Sequence, residues 1–466
     1  MIKLPSIFPV ACHTDNVGPG SIFVVIKGQN SNGLQYIRTA LAKGAACIVV
    51  EKSEIISDDL KELIAQQNVQ LMYVENSRKS LGQLSAQAAE YPAQKLKILG
   101  VTGTKGKTTS VYILEHLLTS MGKKVARMST IKNAIDGHEL PALLTTSQPD
   151  YLHQFFALCV AHHIEYVVME IAAQATTFNR LETIELDGLI FTNLDREHAE
   201  LYPDMHDYFT AKAAITHHLK IDAPCIINID DAYGFKLSKL YQNNIGFSFS
   251  SHTQAYIHYQ ASTVGTLISD NNQSYHYTDI PGIFNAYNLA GCITLLHQLG
   301  FNSQDFSKGL LTIPAIPGRL EEVPLPNGAR AYIDYAHTPG SFESVLSMVR
   351  TLTDHLIVIF GAGGSKDPIK RPLMGEITTR YADLTIITTD NPRQEEPQNI
   401  ISDILKGIDN QKTIHIEFDR EKAIHYAYAH SKPSSIIMLL GKGPDEYQII
   451  GTTKIPFSEK TILKSL

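Results

Sequence analysis

Short runs of β-branched and apolar residues recur along the chain, at 97–101, 166–171, 188–192, 225–229, 356–360, 384–388 and 435–440. Each ends near glycine, asparagine or aspartate and is followed by a helix-period pattern. Runs without polar alternation fit strands covered on both faces, and strands joined through helices form right-handed parallel units. The pattern predicts an α/β, doubly wound architecture with ligands beyond the carboxyl ends of the strands. At 466 residues the chain exceeds what one core organises. Three domains are predicted. Residues 1–94 hold their own strand (46–51) and helix (77–90) and close at Tyr91-Pro92. Residues 95–316 lead into the glycine-rich turn from Gly100. Residues 317–466 open at Pro317-Gly318-Arg319.

Composition excludes several classes. A net charge of −7 without a basic block argues against a nucleic-acid binder. The 5 cysteines are scattered with no C-x-x-C pair, which fits a reducing compartment and offers neither a disulfide framework nor a zinc site. The 19 histidines include His162–His163 and His217–His218, neither at helical metal-ligand spacing. Met1-Ile-Lys-Leu-Pro lacks a signal-peptide pattern, and no stretch approaches the roughly 20 apolar residues of a membrane span. A cytoplasmic protein, monomeric and acting on small molecules, is expected.

The most specific chemistry lies at Thr102-Gly-Thr-Lys-Gly-Lys-Thr108, after the run 97–101 and before a helix predicted at 108–121. Strand, glycine-rich turn and helix N-terminus together direct backbone N–H groups at phosphate oxygens. Gly103, Thr104, Lys105, Gly106 and Thr109 would line that cradle. Lys107 would reach the terminal phosphates, and Thr108 would offer its hydroxyl to Mg²⁺. The generic phosphate-loop spacing calls for glycine at Val101, so the loop is a variant.

These residues resemble the Mur ligase family of peptidoglycan synthesis, over nearly the whole chain. Thr-Gly-Thr-x-Gly-Lys-Thr at 102–108 is similar to the family's ATP loop. Glu170 in Met-Glu-Ile-Ala-Ala and His198 in Asn193-Leu-Asp-Arg-Glu-His match its magnesium ligands. Phe284-Asn285-Ala-Tyr-Asn288 and Gly318-Arg319-Leu-Glu resemble later nucleotide motifs, with Arg319, Asp334 and Tyr335 placed around the nucleotide. Asp334-Tyr-Ala-His-Thr-Pro339, Lys370-Arg-Pro-Leu-Met-Gly375 and Asp390-Asn-Pro-Arg393 point to the branch that adds the third stem-peptide residue. Lys212, in Asp207-Tyr-Phe-Thr-Ala-Lys-Ala-Ala, matches the lysine that takes up CO₂ as a carbamate and so becomes a metal ligand. Burial near another cation would favour the neutral amine that this reaction needs.

The resemblance implies a P-loop central parallel sheet, a Rossmann-like C-terminal domain binding the amino acid, and a first domain binding a UDP-sugar. It implies an ATP- and Mg²⁺-dependent ligase. The carboxylate of UDP-MurNAc-L-Ala-D-Glu would form an acyl phosphate that an incoming amine attacks. Arg393 at the end of Asp390-Asn391-Pro-Arg393 goes with meso-diaminopimelate, whose second carboxylate suits a guanidinium fork. Lys366, Gly441 and Asp445 would share that pocket, although Lys366 stands where the family has arginine and Pro444-Asp445 replaces its His-Glu.

The acceptor side departs further. His13-Thr14-Asp15 stands in place of Asp-Ser-Arg, Ala172-Ala-Gln174 in place of Ser-Ser-His, and Thr145-Thr146-Ser147 in place of Thr-Thr-Pro, while Arg180 is retained. Lost donors in a polar site weaken the same ligand. Two alternatives therefore stay open: a paralogous amide ligase with another acceptor or lysine as amino acid, and a non-catalytic nucleotide-binding scaffold. The presence together of Lys107, Glu170, His198 and Lys212 argues against the scaffold.

Overall fold

The computed structural model describes residues 2–28, 31–250, 255, 257–261, 266–269, 275–278, 282–409 and 413–466. The chain divides into two compact units, Met1–Ile313 and Pro314–Leu466.

The first unit begins with a parallel sheet of Val10–Ala11, Ile22–Val24, Cys47–Glu51 and Gln70–Val74, paired in chain order. Phe23, Ile48 and Val50 face one of its cores, and Val24 and Val49 face another. That alternation explains why the run at 46–51 is apolar up to Glu51, which closes it.

A larger sheet follows in the same unit. Its spatial order is Ile257–His258, Ile245–Ser248, Cys225–Asn228, Gly188–Phe191, Lys97–Thr102, Tyr166–Ile171, Val125–Met128, Lys132–Ile135 and His138–Pro141. Pairing is parallel as far as Val125–Met128. The last two strands depart from the predicted parallel plan and add an antiparallel hairpin. Its turn is Asp136-Gly137, with φ of 49° and 77°. Two residues at positive φ make the tight connection that only antiparallel neighbours permit. Gln260–Ala261, Thr266–Ser269 and Tyr275–Thr278 form a separate antiparallel sheet.

Helices Lys107–Ser120 and Ile283–Gln298 pack against each other beside this sheet. The first starts one residue before its predicted position. The second is buried along most of its length, which brings Asn285 and Asn288 to the loop end of the sheet.

The second unit holds a sheet in the order Glu321–Pro324, Arg330–Asp334, Ile436–Leu440, Leu356–Phe360, Leu384–Ile387 and Ile414–Ile416. All pairs are parallel except the first. Its central strands are buried along their whole length, as the apolar runs at 356–360 and 435–440 require. A hairpin of Tyr447–Ile450 and Thr453–Pro456 follows. Among the described residues no helix is long and apolar enough to cross a membrane.

Candidate active site

The glycine-rich loop leaves the carboxyl end of Lys97–Thr102, in the middle of the larger sheet. Gly106 caps helix Lys107–Ser120 with φ +85°, and a Cβ there would lie 2.2 Å from Asn288 Oδ1. Only glycine lets the asparagine close on the loop in that conformation. Asn285 and Asn288 are both buried, with Asn288 donating to Asn285 at 3.4 Å. Lys107 Nζ donates to the carbonyls of Gly103 and Thr104, each at 2.9 Å. Lys105 pairs with Asp195 at 2.8 Å, and its N–H donates to Asn193 Oδ1 at 2.9 Å. Thr104 donates to the Asp195 carbonyl, and Thr109 is buried in the first turn of the helix.

Glu170 lies within the neighbouring strand Tyr166–Ile171 and is 1% exposed. Its Oε1 accepts from Thr108 Oγ1 at 2.8 Å and from Thr130 N at 2.9 Å, and its Oε2 from Thr130 Oγ1 at 3.0 Å. No described lysine, arginine or histidine lies within 4 Å of it, although a buried carboxylate is costly without a cation. The chemistry fits Mg²⁺, which takes one or two protein oxygens and fills its octahedron with water and phosphate. Among the described residues no three of His, Cys, Asp or Glu gather into an all-protein metal cage. His198 is placed apart from Glu170's hydrogen-bond set. It sits on the loop with Glu200 at 3.5 Å and Glu197 at 3.9 Å, and its ring lies 6.1 Å from that of Tyr208.

Lys212, near the end of helix Met205–Ala213, is 2% exposed. Its Nζ donates to the Gly103 carbonyl at 2.7 Å, the same oxygen that receives Lys107. Burial pushes this amine well below the ordinary lysine range, the charge of Lys107 pushes it further, and Glu197 opposes. The expected combination of burial and a cationic neighbour is therefore on hand.

Thr146 links this centre to the acceptor side. Its hydroxyl donates to the Glu170 carbonyl at 3.0 Å and accepts from Ala172 N at 3.0 Å. Its carbonyl accepts from Arg180 Nη1 at 2.7 Å. The Thr145 hydroxyl lies 3.1 Å from that of Thr130. Thr14 lies in the short helix Thr14–Asn16 of the first sheet's region, where Lys43 donates to its carbonyl at 2.7 Å.

In the second unit the candidate residues also collect at carboxyl strand ends. Asp334 accepts from the N–H groups of Leu320 and Ala336, and burial raises its carboxyl against the pull of Arg319. The Arg319 guanidinium lies 4.9 Å over the Tyr335 ring, and burial pushes the Tyr335 phenol up to about 12. Asp390 and Asn391 are buried and share Lys442, at 3.7 Å and 3.2 Å. Arg393 donates to the Gly364 carbonyl at 2.9 Å. Gly441 has φ +106°, and burial raises the Asp445 carboxyl despite Lys442. Lys366 is exposed.

Thr130, Asn193 and Lys442 escaped the sequence reading. Asn193 heads the motif that ends in His198, so its position after a strand was a usable signal. Thr130 follows Val125–Met128, and only the pairing of that strand with Tyr166–Ile171 brings it to Glu170.

Comparison with known proteins places this geometry. Residues 10–89 match the Mur ligase family catalytic domain, 101–296 the Mur ligase middle domain and 318–443 the Mur ligase glutamate ligase domain. A UDP-N-acetylmuramoyl-L-alanyl-D-glutamate–2,6-diaminopimelate ligase of Clostridioides difficile is 34% identical over 459 residues, covering 96% of this chain and 92% of that one. One of the same name from Caldanaerobacter subterraneus is 32% identical over 458 residues, with coverage of 96% and 92%. A solved structure of a ligase of that name superposes with a TM-score of 0.66 at 25% identity, over 98% of this chain and 94% of the other. MurF ligase from Thermotoga maritima in complex with ADP shares the fold, with a TM-score of 0.63 at 18% identity and coverage of 93% and 94%. The chain belongs to the Mur ligase family.

Proposed function

We propose that the protein is an ATP-dependent, ADP-forming ligase that joins meso-diaminopimelate to UDP-MurNAc-L-Ala-D-Glu in peptidoglycan synthesis, acting in the cytoplasm as a monomer. The observation that carries the reading is the convergence of Lys107 and Lys212 on the Gly103 carbonyl, with the Thr108–Glu170 pair at the start of the same helix.

A carboxylate of the acceptor attacks the γ-phosphate of ATP, giving an acyl phosphate and ADP. Lys107 neutralises the charge that develops on the transferring group, a step governed by positioning and electrostatics. Glu170, Thr108 and His198 would hold a Mg²⁺ ion, which would supply further neutralisation of phosphate charge. The neutral Lys212 amine adds to CO₂, its nitrogen bonding to carbon as one C=O π bond opens and one proton is released, and the resulting anionic carbamate would offer an additional oxygen ligand to the metal. The amine of diaminopimelate then attacks the acyl carbon, and the tetrahedral intermediate collapses to an amide and inorganic phosphate. Asp445 and Asp390 provide carboxylates for the amino acid's ammonium groups, with Arg393 for its distal carboxylate.

The test is phosphate release with ATP, Mg²⁺ and UDP-MurNAc-L-Ala-D-Glu, adding candidate amino acids one at a time and recording product mass. Release that requires both acceptor and diaminopimelate is expected, with a product heavier by one diaminopimelate less water. Phosphate release that needs neither acceptor nor amine counts against the mechanism, and equal turnover of L-lysine removes the specificity. A second reading, the same chemistry on another acceptor, is favoured by Ala172 and Ala173, which offer no hydroxyls beside Thr146.

A further inference from the structure

Helix Ser77–Ala88, the last of the first-sheet region, lies hard against the central part of the same unit. A Cβ on Gly82 would fall 2.6 Å from Glu182 Cβ, and Gln83 donates to Glu182 at 3.1 Å. One turn before Gly82, and so on the same face, stands Arg78. Its guanidinium carbon is 4.6 Å from the centroid of the Phe178 ring, and that of Arg180 is 5.5 Å from the same centroid. Two cations thus share one aromatic ring, yet no described carboxylate lies within 4 Å of either one. Their hydrogen bonds go to backbone instead: Arg78 to the Lys27 carbonyl at 2.7 Å and Arg180 to the Thr146 carbonyl at 2.7 Å. Arg180 Nε is buried without a partner.

Like charges held together in partial burial repel, and the carboxylate that draws Arg78 toward its charged form, Glu51, lies outside salt-bridge distance. The effect is visible in Arg180, lowered to about 10 by burial and then by the charge of Arg78. A packing role would be served by one arginine on the ring, and a structural ion pair would bring its own carboxylate. Both side chains remain partly exposed, so an incoming anion has access.

We propose that Arg78 joins Arg180 in a two-guanidinium cradle over Phe178 that binds an oxyanion of the acceptor substrate. A diphosphate is the better match, because two planar forks meet two phosphate groups. A peptide carboxylate is the other source of the same chemistry. The assignment to an acceptor rests on the ligase reading above, whereas the anion site itself does not.

Calorimetric titration of the full chain with pyrophosphate, UDP, uridine and L-alanyl-D-glutamate tests this, with Arg78→Met and Arg78→Lys beside the wild type. Pyrophosphate and UDP should bind the wild type and weaken at least tenfold in Arg78→Met, about 1.4 kcal/mol. Arg78→Lys should recover part of that loss, while ATP and uridine affinities hold. A loss confined to L-alanyl-D-glutamate keeps the cradle and assigns it to a carboxylate. Unchanged anion binding in Arg78→Met overturns the proposal, as does a fall in ATP affinity parallel to that for anions. If Arg78→Met does not fold, Arg78→Lys decides, since full wild-type affinity for every anion there removes the fork from the argument. Failure of the ligase reading would show as absence of amide product, with pyrophosphate binding unaffected.

Discussion

Lys212 in the first unit and Lys442 in the second are both withdrawn from water, at 2% and 0% exposure. Their neighbours differ in sign. Lys212 faces the Lys107 cation across the Gly103 carbonyl, so burial and charge push its amine down together, against Glu197 alone. Lys442 is also lowered by burial and by the Arg420 guanidinium, but Asp390 pulls it back toward the charged form, and Asp445 and Glu459 add to that pull. Burial alone therefore does not mark a reactive lysine. The surrounding charges set how strongly the amine is drawn toward its neutral form.

The largest effect should come from removing the cation that sets this difference. Lys107→Ala is expected to lower kcat for phosphate release by about a thousandfold or more, the scale of a charge lost at a phosphoryl-transfer centre. Retention of a tenth of wild-type turnover would break the assignment. Next in size, Lys212→Met should lower turnover by about a hundredfold, as expected for one electrostatic contact. ¹³C NMR after equilibration with ¹³C-bicarbonate sharpens the comparison. A carbamate resonance is expected in wild type and in Lys442→Met and should vanish in Lys212→Met. A resonance that disappears with Lys442 instead would reverse the roles of the two lysines.

Much of this arrangement was legible in the residues, and its limits have physical causes. Strands such as Leu356–Phe360 and Ile436–Leu440 are covered on both faces, so they read as unbroken apolar runs. The hairpin strand Lys132–Ile135 begins with Lys-Asn at the sheet margin and carries no such run, although Asp136-Gly137 signals its turn. Lys107 and Thr108 follow from local spacing along one loop. Thr130 depends on strand order, Arg78 meets Phe178 from a hundred residues away, and Lys442 acquires Asp390 only through folding. Local chemistry is written in the chain, whereas partners across the sheet are set by packing.

The same two lysines should diverge in stability. Lys442→Met strands the buried Asp390 carboxylate and is expected to cost about 3–5 kcal/mol, the range for breaking a buried pair from one side. Lys212→Met removes a buried amine that burial and the Lys107 charge already disfavour in its charged form, and should leave stability unchanged or raised. Denaturant midpoints of the two variants in CO₂-depleted buffer check the order, and equal losses would mean that burial outweighs the neighbours after all.

The smallest effect expected belongs to Arg393, proposed above to meet a ligand carboxylate. Its backbone is tied to the hairpin, donating to the Ile449 carbonyl at 3.1 Å and accepting from Gly451 N at 2.8 Å. The guanidinium gives one bond to the Gly364 carbonyl, and no described carboxylate lies within 4 Å of it. Unlike Lys442, whose charge is answered inside the unit, this fork is open to a substrate carboxylate. Arg393→Lys keeps the charge and loses the planar pair of donors. The KM for diaminopimelate should rise about tenfold, near 1.4 kcal/mol, with kcat little changed. L-lysine lacks the second carboxylate, so its KM should not move, and the preference between the two amino acids should narrow by the same factor. An equal rise in both KM values would show that Arg393 shapes the loop through Gly364 and does not read the carboxylate.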